Sequence, residues 1–174
     1  MLSKVITLAG GVAGAASFSQ FPEFSQQYIQ RMGGAVDELS RFVAEFDADA
    51  AELGLSREVA LVELAAGDDM GRARAETVAA TITRHTRLEA NLMVLERAGP
   101  FTRAYEMRRF SDSEIAARAW EAYKPAVPFT FEGGVFAGVG FLAGFGLMAG
   151  MGRLSGYLLR RKRRPQPLRG AGNV

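Results

Sequence analysis

The chain has 174 residues, no cysteine and a formal net charge of only +2. The lack of cysteine excludes disulfides, thiol catalysis and Cys-ligated zinc, and fits either side of a membrane. The near-neutral balance hides a segregation: residues 23–124 carry 18 acidic against 13 basic side chains, a net of −5, whereas residues 153–174 carry seven positive charges and no negative one. Basic charge in general fits nucleic acid or an anionic membrane surface. Here it is packed just past an apolar run, which reads as an orientation signal for a membrane span, and no nucleic acid is expected.

In chain order, the first feature is an uncharged stretch of 18 residues, 5–22, preceded by Lys4. At about 1.5 Å per residue it covers ~27 Å, just enough to cross a bilayer. Residues 1–22 are therefore expected to form a first transmembrane helix. The competing reading is a signal peptide, with Lys4 as its basic region and Ala13-Gly14-Ala15 as an A-x-A cleavage site. Gly10 and Gly11 interrupt the hydrophobic part, and apolar residues continue through Ala16, Phe18 and Phe21, which favours a retained helix. Gly10 and Gly14 form a G-x-x-x-G pair, the spacing that lets a second helix approach closely in lipid.

After this helix the residues Ser19-Gln20-Phe21-Pro22-Glu23-Phe24-Ser25-Gln26-Gln27-Tyr28, followed by Arg31-Met32-Gly33-Gly34-Ala35-Val36-Asp37, resemble a proteobacterial family of membrane proteins known as domain of unknown function 2937. The resemblance implies an architecture: an N-terminal apolar segment, this SQFPEF-type stretch, a polar helical middle and a C-terminal span. It implies no activity and no catalytic residues.

Residues 23–124 read as an all-helical extramembrane domain. Tyr28, Met32, Ala35, Leu39, Phe42 and Phe46 are spaced 4, 3, 4, 3 and 4, a heptad seam, with Leu53 one heptad further on. The expected helix spans about 22–53 and ends at Gly54. Ser56 is expected to cap a short helix to Ala66, with Leu55 and Ala60 as a hydrophobic staple and Gly67 closing it. Asp68 or Asp69 caps a third helix that Gly99-Pro100 ends, with an apolar stripe of Val78, Ile82, Leu88, Leu92 and Leu95. The two long helices match in length and are expected to form an antiparallel hairpin. Ser111-x-x-Glu114 reads as the capping box of a fourth helix reaching Tyr123 and Lys124. Nothing alternates with period two.

The second span is expected within residues 125–158. Its core, 133–152, is twenty residues without a charge, or ~30 Å of helix. Arg160, Arg161, Lys162, Arg163 and Arg164 follow it, in a basic tail of residues 159–174, as a cytoplasmic anchor. Aromatic residues stand where each span would meet the membrane surface: Phe18, Phe21 and Phe24 beside the first, Trp120, Tyr123, Phe129 and Phe131 beside the second, as in an interfacial belt. Eight of the twenty core residues are glycine. On a helical wheel Gly133, Gly140 and Gly144 fall on one stripe and Gly134, Gly138 and Gly152 on another. Gly10, Gly14, Gly134, Gly138, Gly140 and Gly144 are the expected helix-packing residues.

Catalytic signals are weak. Gly138-x-Gly140-x-x-Ala143 imitates a dinucleotide fingerprint but follows no strand. Asp47, Asp49 and Glu58 occupy EF-hand positions, yet Glu52 stands where that loop requires glycine. The single histidine, His85, lies between Ile82 and Leu88 as a packed polar residue, and Arg103, Arg108 and Arg109 read as surface charges. No catalytic residue, cofactor, metal or small-molecule substrate is expected. The reading is an all-α protein of the bacterial inner membrane with two spans flanking a periplasmic helical domain and both termini cytoplasmic. It is non-catalytic, an accessory or assembly subunit whose partners are membrane lipids and either a second copy or another membrane protein. The alternatives are a small oligomeric pore or transport component, and an exported enzyme with a membrane tail.

Overall fold

The computed structural model describes residues 2–124 and 130–162, and every regular element among them is helical. These are α1 (Leu2–Ser19), α2 (Phe21–Glu52), α3 (Arg57–Ala65), α4 (Asp69–Arg97), α5 (Pro100–Tyr105), a 3-10 turn (Met107–Arg109), α6 (Ser113–Ala122) and α7 (Phe131–Lys162). The chain divides into two compact units, one built from α1 and α7 and the other from α2, beyond Phe21, through α6.

In the α1–α7 unit the helices run antiparallel. Gly14 faces Gly140, Gly10 faces Gly144, and the Phe21 and Phe136 rings lie 5.3 Å apart, so successive contacts climb one helix as they descend the other. The sequence predicts two flanking spans. Among the described helices only α7, over Phe131–Ser155, is long and apolar enough to cross a membrane; α1 is 18 residues and includes Lys4, Ser3 and Thr7. Phe129 lies outside the described residues.

The second unit is built on the antiparallel pair α2 and α4, closed by α6. Pro22 sits in the first turn of α2, where its missing N–H costs nothing, and Glu23 complements the positive end of the helix dipole. Tyr28, Ile29, Met32 and Val36 pack with Leu88 and Leu95 of α4 and Ile115 and Ala119 of α6. Farther along, Val43 and Ala50 are buried, as are Ala75 and Val78. Tyr28 and Met32 of the expected seam are fully buried; farther along, Val36 and Val43 are the buried residues, one position past the expected Ala35 and Phe42. The β-branched side chains turn inward, while Phe42 and Phe46 flank the seam half-buried and the Arg74 guanidinium lies 5.8 Å from the Phe42 ring centroid. Leu53, expected in the seam, is 75% exposed, because the helix stops at Glu52.

The ends of α2, α3 and α4 follow their local chemistry. Gly54 has φ of 70°; its N–H donates to the Ala51 carbonyl at 2.9 Å, and the Leu55 N–H donates to the Ala50 carbonyl at 2.9 Å. That pair of bonds is a Schellman ending, which requires a left-handed residue that glycine adopts without a Cβ clash. Ser56 accepts from the Val59 N–H at 3.4 Å and Asp68 from the Gly71 N–H at 2.8 Å, capping α3 and α4. The Gly99-Pro100 pair both ends α4 and opens α5, with Pro100 at its first position. The expected cap of α6 is corrected: Asp112, not Ser111, is the N-cap, accepting from the Ile115 N–H at 3.2 Å. Glu114 is left free to pair with arginines.

Candidate functional site

The expected helix-packing glycines divide into two sets. Gly10 and Gly14 meet Gly144 and Gly140. A side chain at Gly14, Gly140 or Gly144 would strike the backbone carbonyl of the facing Gly140, Gly14 or Gly10, whereas one at Gly10 would meet the Met148 side chain first and lie 3.1 Å from the Gly144 carbonyl. A Cβ at Gly14 would also come within 3.3 Å of the Gly144 Cα. At Gly14, Gly140 and Gly144 the obstacles are backbone atoms, so no rotamer change relieves them. The reciprocal approach of each glycine to the carbonyl facing it is the disposition of Cα–H···O=C contacts between close helices.

Three contacts that the sequence reading did not single out complete this seam. Met148 lies over Gly10, the Phe18 Cβ would be 2.6 Å from a Cβ at Gly140, and the Phe141 ring covers Gly11 at 2.7 Å from the same virtual atom. Helical period gives the signal that could have found Gly11 and Phe141: they extend the faces of Gly14 and Gly144 by single turns. Gly134 and Gly138 take no part in the intrachain pair, with nothing within 4 Å of a Cβ built on either. Both are exposed positions of α7. Of the expected anchor, Arg160, Arg161 and Lys162 end α7, with side chains outside the described residues, as are Arg163 and Arg164 entirely.

The second unit holds a buried ionic node. Asp112 is 6% exposed. Arg84 donates to it twice, Nε to Oδ2 at 3.0 Å and an Nη to Oδ1 at 3.1 Å, and Arg87 adds a longer bond at 3.4 Å. The Asp112 backbone N–H donates to the hydroxyl of fully buried Tyr28 at 3.1 Å, tying α2 to the start of α6. Glu114 accepts from Arg84 at 2.9 Å and from Arg118 at 2.7 Å. Burial pushes the Asp112 carboxyl up, but the hydrogen bonds from Arg84 and the Ile115 N–H and the charges of both arginines outweigh it, and its pKa lies below the usual carboxylate range. Burial raises the pKa of Tyr28. Beside the node a groove of about 420 Å³ runs over Ala35, Leu39 and Ile115, rimmed by Arg31, Arg84, Glu38, Glu114 and Arg118.

His85 does not stand alone: its Nε2 is 2.7 Å from the Ser40 Oγ, across the α2–α4 contact. The distance suits a nucleophile and base, but both residues sit in mid-helix, where the backbone N–H groups are consumed by the helix ladder and cannot form an oxyanion hole. The pair fixes the register of two helices. Asp47 is held by Arg57, with Nε to Oδ1 at 2.6 Å, which lowers the Asp47 pKa. Among the described residues no group of three or more His, Asp or Glu could hold a metal ion. Arg103 donates to the Leu95 carbonyl and Gln26, and Arg109 to Glu106 and Asn91, so these arginines brace helix ends.

Comparison with curated proteins and with solved structures returns no match. The sequence pattern of one family does match, over residues 2–161, spanning α1 and the second unit and reaching nearly to the end of α7. The chain belongs to the family described as protein of unknown function (DUF2937).

Proposed function

We propose that the protein is a two-span protein of the bacterial inner membrane that works by binding, as a non-catalytic accessory or assembly subunit of a membrane complex. The observation that carries this reading is the glycine-seamed α1–α7 pair with apolar side chains turned outward. Val5, Ile6, Leu8 and Val12 of α1 and Val139, Leu142, Leu147 and Leu154 of α7 are all at least half exposed. In water such a two-helix surface is an aggregation hazard; in lipid it is the expected exterior. Only 6% of the most apolar window of α7 is buried, which argues against the core helix of a soluble domain.

In this reading α1 is retained and crosses beside α7, its short length offset by the close contact. The basic run after α7 holds both termini in the cytoplasm, and residues 23–124 face the periplasm. The groove over Ala35, Leu39 and Ile115, with charges of both signs on its rim, is the surface offered to a partner protein.

Single-cysteine labelling tests the topology, since the chain has no native cysteine. Leu53→Cys, at a 75% exposed site, is expected to react with an impermeant maleimide in intact cells, whereas Asn173→Cys reacts only after the inner membrane is permeabilised. The reverse pattern overturns the orientation. Recovery of the full chain from mild detergent without any companion protein or second copy overturns the accessory-subunit reading.

A further inference from the structure

We propose that the Lys4–Arg153 end of the α1–α7 pair is a binding site for the phosphate headgroup of an anionic phospholipid. This rests on the membrane reading above and adds a specific ligand to it. A groove of about 520 Å³ opens there between the two helices, within the range of small-ligand sites. Lys4 and Arg153 flank it, and among the described residues no carboxylate lines it. Ser3 and Thr7 supply hydroxyls; the Thr7 Oγ1 donates to the Ser3 carbonyl at 2.9 Å, which leaves the Ser3 hydroxyl, the ammonium and the guanidinium as donors toward the groove. Phe145, Ala149 and Gly152 form the apolar side.

Three features converge on phosphate with an acyl chain attached. Both cations stand where the uncharged runs stop, Lys4 just before residue 5 and Arg153 just after residue 152, which is the level at which lipid phosphates lie. The first turn of α1 directs its unpaired N–H groups to the same end, adding the positive pole of an 18-residue helix. The floor continues into the exposed apolar faces of α1 and α7, so an acyl chain has a surface to follow and a free phosphate does not. The basic run at 160–164 attracts anionic lipid diffusely; the groove between two helices holds one molecule in a fixed place.

The test uses the full chain, extracted in mild detergent and analysed by native mass spectrometry after addition of phosphatidylglycerol or phosphatidylcholine. Wild type is expected to retain phosphatidylglycerol in preference to phosphatidylcholine, and Lys4→Gln/Arg153→Gln to bind it on the order of 30-fold more weakly, as loss of two interfacial cations predicts. A variant with Arg160, Arg161, Lys162, Arg163 and Arg164 all changed to Gln is expected to keep the bound lipid. The site is overturned by equal retention of both lipids, by undiminished binding in the double variant, or by loss of binding only in the tail variant. Displacement of the lipid by inorganic phosphate would make it a free-anion site and overturn the assignment to lipid. Membrane fractionation separates the two levels: a chain soluble without detergent contradicts the membrane reading and this site with it, whereas a membrane-integral chain with no headgroup preference contradicts this site alone.

Discussion

Ile at Gly14 or Gly140 will force α1 and α7 apart. Each substitution drives a branched side chain into a backbone carbonyl of the facing helix, an obstacle that can be relieved only by separating or rotating the helices. Overpacking costs typically about 1–3 kcal/mol, and contacts between membrane helices are worth on the order of 1 kcal/mol each. A single Ile is therefore expected to weaken the pair strongly, and Gly14→Ile combined with Gly140→Ile to dissociate it. Membrane insertion is expected to survive, because Ile is at least as apolar as Gly in a span. Gly134→Ile and Gly138→Ile provide the internal comparison, since both sites open into free space within the chain. They are expected to leave the intrachain pair unchanged. Thermal unfolding in detergent, read for all four variants, checks the division; equal damage from both sets would mean that the seam does not hold the helices together.

Asp112→Ala will strongly destabilise the second unit. It removes the N-cap of α6, typically about 1 kcal/mol, and leaves Arg84 with Glu114 in place of its buried two-fold contact to Asp112. Breaking a buried ion pair by deleting one partner costs about 3–5 kcal/mol; with Arg84 a third exposed, the combined effect is expected on the order of 3 kcal/mol. Asp112→Asn keeps a competent cap and loses only the charge, so it is expected to cost less than half as much. The sign of the pH dependence follows from the lowered pKa. The folded state binds the Asp112 proton more weakly than the unfolded chain, so this stabilisation is fully present above the ordinary value of 3.8 and is lost as the pH falls through the lower folded value. Circular dichroism melts of wild type and Asp112→Asn, taken from neutral pH down to about 2, are expected to converge at the acid end.

Much of the fold was legible because helix ends are written locally. Ser56, Asp68 and Gly54 each stand where the expected boundary falls, and each acts through its own backbone or that of the next turn. The errors are displacements by one residue that only distant residues decide. Tyr28 and Met32 are fully buried as the seam predicts, but Val36 is buried more deeply than Ala35 against the cluster that holds Leu88 and Leu95, and Val43 more deeply than Phe42 farther along. The periodicity alone serves Ala35 and Phe42 equally well. Ser111 and Asp112 are equivalent caps by composition, and the choice falls to Asp112 because Arg84 and Arg87 wait on α4. The glycine seam was half legible. G-x-x-x-G spacing marks Gly10 and Gly14, but a span with eight glycines offers several stripes, and which one meets α1 depends on helix rotation that no local rule contains. The Arg84–Asp112–Tyr28 node joins three helices and leaves no mark on any one of them.

Paired cysteines at Phe21 and Phe136 offer the most direct test of whether α1 is kept and packs antiparallel on α7 within a membrane. The two rings stand 5.3 Å apart and the chain has no other thiol. Treatment of Phe21→Cys/Phe136→Cys in isolated membranes with a short bifunctional thiol crosslinker, which spans more than a disulfide, is expected to give an intrachain link, seen as a faster-migrating monomer. Gly14→Ile combined with Gly140→Ile in the same background should abolish it. A mature chain that has lost α1, or one that crosslinks only between chains, would contradict the two-helix membrane pair.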